Sequence, residues 1–285
     1  MSSRCQVCGS VLTPGLASWH LECPACSFEC STLVPAINRD DGTLSKTGLC
    51  DSLAPLRRRN FSRLCTRLEA LKALHGQRLL EVGCAYGWFL DAARNSGADC
   101  HGIEADVELH RQARNTGCRV IQGFFPECLE ESERFDLIVF NDVFEHLPDI
   151  QAAMAACRAH LNPGGLLVIN LPASSGMLYR LSRLLCRMGK PASFERLWQK
   201  GFPSPHLSYF NRQNLKRLAE HHGFTAQLSF PLASVAWRGL WQRIGADGRT
   251  GLARQATSFA ALSMLAPVLT ILPPDIEVHV YASPT

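Results

Sequence analysis

The chain has 285 residues, 46% of them apolar and 19% charged, which excludes a disordered, collagenous or coiled-coil protein. The balance of 29 basic and 25 acidic residues leaves a net charge of +4, too mild to name a partner, since phosphate recognition would need that charge concentrated locally. Thirteen cysteines, an odd count in a chain too long to need disulfide staples, point to a reducing compartment.

The N-terminal MSSRCQVCGS has no apolar core of signal-peptide length, so a cytoplasmic location is expected. Cys5, Cys8, Cys23 and Cys26 follow in the spacing C-x2-C-x14-C-x2-C. Two such knuckles place four thiolates at the corners of a tetrahedron, and Gly9 and Pro24 suit tight loops, so residues 1–37 read as a zinc-ribbon-like module with a structural zinc. So short a module buries too little core to fold alone, and metal binding would supply the folding free energy. Cys30 and His20 are spare candidates outside the spacing.

Residues 38–55 are polar and turn-rich, a linker. Phe61, Leu64, Leu68, Leu71 and Leu74 then mark one face of a helix whose other faces carry Arg57, Arg58, Arg59, Arg63 and Arg67, completing a connecting segment over 38–76. From residue 77 short apolar runs alternate with helical ones. Strands are expected over 78–82, 100–104, 119–122, 135–140 and 166–171, and helices over 87–96, 107–115 and 150–160, with a turn at Asn162-Pro163-Gly164-Gly165. This alternation implies right-handed crossovers and a largely parallel, doubly wound α/β sheet covered on both faces. It breaks near 172–206, resumes with a helix over 211–222 and a strand over 224–230, breaks near 231–274, and closes at 276–282.

Open parallel sheets bind ligands at the carboxyl ends of their strands, so the first strand–loop–helix is the place to look. It reads Leu80-Glu81-Val82-Gly83-Cys84-Ala85-Tyr86-Gly87. Small residues at 83, 85 and 87 admit a ligand close to the backbone, but the G-x-A-x-G spacing departs from the G-x-G-x-x-G of dinucleotide-binding proteins. The second strand ends at Glu104, where a carboxylate can accept both hydroxyls of a ribose.

These motifs, with Phe135-Asp136-Leu137-Ile138-Val139, Asn141-Asp142-Val143-Phe144-Glu145-His146, Leu161-Asn162-Pro163-Gly164-Gly165 and the downstream His206-Leu207-Ser208-Tyr209-Phe210-Asn211, resemble the class I S-adenosylmethionine-dependent methyltransferases. The resemblance implies a seven-stranded sheet whose last strand is antiparallel. It implies that Gly83, Cys84, Ala85 and Gly87 line the methionine and ribose of the cofactor, with Glu81 near the amino group and Glu104 on the ribose diol. Gly123 and Phe124 would flank the adenine, and Asn141 and Val143 would lie beside the sulfonium. Departures are Ala85, where glycine is commoner, and Gly123-Phe124, where an acidic residue is frequent. His146 and His206 are the candidates for the base that takes the acceptor's proton. Asp142, Glu145 and His146 form D-x-x-E-H, similar to a pattern that some quinone-biosynthetic O-methyltransferases use for a divalent cation.

In the first break Leu178, Leu181, Leu184, Leu185 and Met188 fall on one helical face and Arg180, Arg183 and Arg187 on another, the pattern of a packed helix or lid, or of a helix lying on a membrane. The uncharged stretch 255–272 contains Pro267 and reads as a buried or membrane-facing helix; both segments are places for peripheral membrane contact. The expected activity is methyl transfer, O-directed, to a small-molecule, glycan or lipid-linked acceptor. An RNA methyltransferase using the ribbon and Arg57-Arg58-Arg59 is the first alternative. Nucleic acid is disfavoured, because no N-P-P-Y motif stands at Asn141 and no Pro-Cys pair follows the fifth strand. A cofactor-binding protein without turnover is the second alternative.

Overall fold

The computed structural model describes residues 4–38, 47–234, 255–257, 259–260 and 273–285. Most of the insertion expected near 231–274, most of the apolar stretch 255–272 and part of the linker lie outside the described residues.

The N-terminal segment forms β1 (Thr13–Pro14), β2 (His20–Glu22) and β3 (Glu29–Ser31), paired antiparallel in that order. After α1 (Thr47–Glu69) the chain alternates as the apolar runs require: β4 (Arg78–Val82), α2 (Trp88–Asn95), β5 (Asp99–Glu104), α3 (Val107–Ala113), β6 (Arg119–Gln122), β7 (Phe135–Asn141), α4 (Ile150–His160) and β8 (Leu161–Pro172). Then come α5 (Met177–Arg187), α6 (Ala192–Leu197), β9 (Ser208–Tyr209), α7 (Arg212–His221), β10 (Thr225–Pro231) and β11 (Ile276–Ala282).

Seven strands form one sheet in the order β10-β11-β8-β7-β4-β5-β6. The pairings from β6 to β8 are parallel, and β11 runs antiparallel to both its neighbours. This is the doubly wound sheet with an antiparallel last strand that the sequence implies. Successive side chains of a strand point to opposite faces. Leu80, Val82, Ile138 and Phe140 therefore enter one core, while Leu79, Leu137 and Val139 enter the other with α1 residues Phe61, Leu64 and Leu68.

The first core also contains Cys5, Val7, Cys23 and Phe28 of the N-terminal segment. The ribbon is joined to the sheet domain by backbone as well: β9 pairs antiparallel with β3, Glu29 opposite Tyr209 and Cys30 opposite Ser208. A third cluster, Trp19, Tyr179, Phe194, Trp198 and Tyr209, fills the space between the ribbon, α5 and α6.

Three local expectations differ. Helix α1 begins at Thr47, inside the polar stretch read as a linker, where no apolar periodicity announces it. β8 begins at Leu161 and takes in the Asn162–Gly165 turn, because Leu161 pairs with Phe135 ahead of a register shift. α5 turns its apolar stripe outward: Leu178, Leu181, Leu184 and Met188 are 38% to 63% exposed. Its inner face carries Tyr179, Ser182 and Arg183 instead. The cause is ionic, since Tyr179 donates to Glu29 and Arg183 pairs with both Glu22 and Glu29 on the ribbon. Amphipathicity was visible in the sequence; which face turns inward depends on partners 150 residues away in the chain.

Candidate functional site

The loop after β4 is shaped by left-handed backbone at alternate positions, φ being +67° at Gly83, +46° at Ala85 and +72° at Gly87. Glycine takes that conformation freely, whereas the side chain of Ala85 costs about 1 kcal/mol there. Glu104 holds the turn in place: one carboxylate oxygen accepts the Ala85 N–H at 2.8 Å and the other accepts the Asp106 N–H at 2.9 Å. One side chain thus ties the loop after β4 to the loop after β5. Gly83 must be glycine for space too, since a Cβ there would lie 2.5 Å from Cγ2 of Val143. Cys84 points away from the loop's open side and is buried, and a Cβ on Gly102 would meet its Sγ at 2.9 Å. Only its backbone lines the loop.

Behind the loop lies a buried polar chain. Asn141 Nδ2 donates to Glu81 Oε1 at 2.8 Å, and Asn170 Nδ2 reaches Asn141 Oδ1 at 3.4 Å. Glu81 Oε2 and Asn170 Oδ1 are buried with no partner among the described residues. Burial pushes the Glu81 carboxyl well above the usual range, against the opposing hydrogen bond from Asn141. At the end of β6 the Gly123 N–H donates to the Glu104 carbonyl at 3.1 Å, and Phe124 next to it is 57% exposed. The structure therefore brings Glu81, Gly83, Ala85, Gly87, Glu104, Gly123, Phe124, Asn141 and Val143 to the carboxyl ends of neighbouring strands.

Beyond β7 the chain delivers a second group. His146 and His206, sixty residues apart, meet with ring centroids at 4.7 Å. His146 Nδ1 donates to the Pro205 carbonyl at 2.9 Å, a tautomer that makes Nε2 the basic nitrogen. His206 Nε2 meets the Gln199 amide at 2.9 Å, and its Nδ1 is buried without a partner among the described residues. Burial, and then the neighbouring His146, hold the His206 imidazole well below its ordinary range, so it is neutral. Both carboxylate oxygens of Glu145 are buried without a hydrogen-bond partner among the described residues, Oε1 lying 3.9 Å from His206 Nε2. Burial and the nearby Asp142 push that carboxyl well above the usual range.

One ligand atom each from Glu145, His146 and His206 lies within 4.8 Å of the others, a set that fits a divalent cation. This differs from the D-x-x-E-H set. Asp142 pairs with Arg57 at 3.2 Å, and His206 completes the group in its place. The sequence names His206 as a candidate base, but nothing in the spacing joins it to Glu145.

The four ribbon thiols also converge, Cys5 to Cys26 at 3.6 Å and Cys8 to Cys23 at 3.4 Å, with ligand atoms mutually within 4.8 Å. Four sulfurs so placed fit a tetrahedral zinc. His20 is no spare ligand, because Nδ1 accepts from the Leu16 N–H and Nε2 is bonded to Glu29.

A family model described as a methyltransferase domain matches residues 56–228, more than half of the chain. The chain belongs to this methyltransferase family. Among curated relatives, the ubiquinone biosynthesis O-methyltransferase of Bradyrhizobium sp. (strain ORS 278) is 30% identical over 139 residues, covering 41% of this methyltransferase and 53% of the relative. That of Bordetella avium (strain 197N) is 30% identical over 146 residues, covering 46% and 61%. The chain thus spans just over half the length of these relatives. Among solved structures, the magnesium protoporphyrin IX methyltransferase of Synechocystis PCC 6803 with bound SAH superposes with a TM-score of 0.55 at 11% identity, covering 85% of this chain and 90% of that one. The cyclopropane synthase of Mycobacterium tuberculosis gives 0.51 at 18% identity, covering 87% and 88%. At such identities these likenesses establish the fold, the class I S-adenosylmethionine-dependent methyltransferase sheet.

The loop geometry of the methyltransferase makes a direct prediction. Gly83→Ala combines a left-handed φ with a clash on Val143 and is expected to cost about 3 kcal/mol. Gly76→Ala has a φ of +74° but nothing within 4 Å, and should cost only about 1 kcal/mol. Urea denaturation of both variants checks the difference.

Proposed function

We propose that this methyltransferase binds S-adenosylmethionine over the Gly83–Gly87 loop and transfers its methyl group to a hydroxyl of a small-molecule, glycan or lipid-linked acceptor. The observation that carries this reading is the pairing of a carboxylate-braced glycine loop with a Glu–His–His cluster, its Glu145 and His206 buried and His146 half-buried, beyond the next strand of the sheet. The relatives are named for O-methyl transfer in ubiquinone biosynthesis, which supports a hydroxyl acceptor.

On this reading each cofactor group has a counterpart. The unpartnered Glu81 oxygen suits the methionine ammonium, a cation that would satisfy a buried carboxylate. Glu104, at the carboxyl end of its strand and bonded to the Ala85 and Asp106 N–H groups, takes the ribose diol. Phe124, exposed beside it, offers a face to the adenine, and Asn141 and Val143 border the sulfonium. Cys84 and Ala85 contribute backbone only.

The sulfonium is already activated, so the protein's task is to hold an acceptor oxygen in line, exclude water and accept one proton. His146 through Nε2, or neutral His206 through Nδ1, takes that proton. A divalent cation, if held by Glu145, His146 and His206, would take the place of the imidazole base and would lower the pKa of a coordinated hydroxyl. An open cavity of about 520 Å³ between the ribbon and the segment after β8, lined by Ser27, Ser174, Ser175, Arg180 and Asn211, offers polar groups to the rest of an acceptor. The RNA reading loses support, because Arg57 pairs with Asp142 and the Arg58 guanidinium sits over the Trp88 ring at 5.4 Å. No helix among the described residues is long and apolar enough to cross a membrane.

Glu104→Ala is expected to weaken S-adenosylmethionine binding by more than about tenfold in calorimetry, given the strength of charge-assisted bonds to a diol. Unchanged affinity would remove the ribose assignment. Elemental analysis of protein purified without chelator should find about one zinc per chain. A second metal that disappears in Glu145→Gln, with zinc retained, is the mark of the cation at the His pair. Zinc-free protein with an undiminished melting temperature would contradict the ribbon.

A further inference from the structure

Two stretches of the ribbon reach the two segments that carry His146 and His206. Gln6, between the first two cysteines, donates from Nε2 to the Pro148 carbonyl at 3.1 Å and accepts the Ile150 N–H at 3.0 Å, while its own carbonyl accepts from the Gln151 side chain. This grip spans the chain immediately beyond His146. On the other edge Ser31 Oγ donates to the His206 carbonyl at 2.8 Å, and the Ser31 N–H donates to the Leu207 carbonyl at 3.0 Å. Glu29 and Cys30 continue the pairing to Tyr209 and Ser208.

The two grips close on each other. The Leu207 N–H donates to the Glu145 carbonyl at 2.8 Å, so a continuous path of hydrogen bonds runs from Ser31 through residues 206 and 207 to residue 145, along the chain to 148, and back to Gln6. Within that path the two imidazoles meet edge to face, their planes 72° apart. Ring contacts follow it, Phe28 against Phe210 at 5.1 Å and Phe210 against Phe144 at 5.7 Å. The bonds of Gln6 and Ser31 go to this side of the sheet and not to the loop braced by Glu104.

We propose that the ribbon is the positioning element of the acceptor site. Ser31 and Gln6 act as positioning residues that fix the separation and tilt of His146 and His206, and leave the cofactor corner untouched. The proposal rests on the reading of the His pair as the proton-accepting group. It gives the zinc knuckles a role inside the reaction centre: they are the rigid anchor from which the pair is hung. Transfer to an oxygen is sensitive to such placement, since a displacement of about 1 Å can cost a hundredfold in rate.

The test uses the full zinc-loaded chain and the variants Ser31→Ala, Ser31→Thr, Gln6→Ala and the double variant His146→Ala, His206→Ala. Three properties are read: calorimetric affinity for S-adenosylmethionine, the ring resonances of His146 and His206 in protein labelled with carbon-13 histidine, and the rate of labelling of the cell-extract fraction that the wild type methylates. The expected result for Ser31→Ala and Gln6→Ala is unchanged cofactor affinity, displaced or broadened resonances of both rings, and a labelling rate lowered about tenfold or more. Ser31→Thr, which keeps the hydroxyl, should restore resonances and rate together. Ring resonances that stay at their wild-type positions in both Ser31→Ala and Gln6→Ala would overturn the positioning role, whatever the rates. A double variant His146→Ala, His206→Ala that labels at the wild-type rate would instead overturn the reading of the His pair, leaving the resonance result to decide the positioning role on its own.

Discussion

The pairing of β3 with β9 is the contact on which the rest of the molecule depends. Without it the ribbon is a short segment held by its thiolates, too small to bury a stable core of its own. With it, Phe28, Val7, Cys5 and Cys23 become part of the core under the central sheet, and Glu29 and Glu22 gain the partners on α5 that set which face of that helix turns inward. The same few backbone bonds bring His206 from far along the chain to the side of His146. The cysteine-bearing ribbon, the insertion after β8 and the His pair are therefore one structural problem with one solution.

Carboxylates divide the labour at the carboxyl edge of the sheet through their surroundings. Glu104 accepts two backbone N–H groups and so braces a loop. Glu81 and Glu145 are buried with oxygens that have no hydrogen-bond partner among the described residues, and burial lifts both well above the ordinary range. Such groups are costly to retain unless something positively charged comes to them. On the proposed reading one receives the cofactor's ammonium and the other a cation or a proton near the acceptor.

Much of this was legible in the sequence. Alternating apolar runs specify the strands because both faces of a parallel sheet are buried, and the cysteine spacing specifies the knuckles because the ligand geometry leaves little freedom. The tight loop after β4 could be read from its small residues, and the position of Glu104 from its place at a strand end. What could not be read has a common cause, dependence on partners distant in the chain. Asp142 looked like a metal ligand until Arg57, on a helix of its own, paired with it. The outward stripe of α5 follows from Glu29 on the ribbon. His206 joins Glu145 only because β9 is pinned to β3, and no local pattern encodes that pairing.

The most direct measurement of this unity is native-state hydrogen exchange on the zinc-loaded protein, followed at the amides of Cys23, Ser31, Leu207 and Phe224. These amides are bonded within the ribbon, across the joint and in the sheet domain. If ribbon and sheet form one cooperative unit, the four should exchange with a common opening free energy that falls together in urea. Ribbon and joint amides that open with a much lower free energy, while Phe224 keeps full protection, would show an appendage hung on the methyltransferase and would contradict the dependence of the reaction centre on the β3–β9 contact.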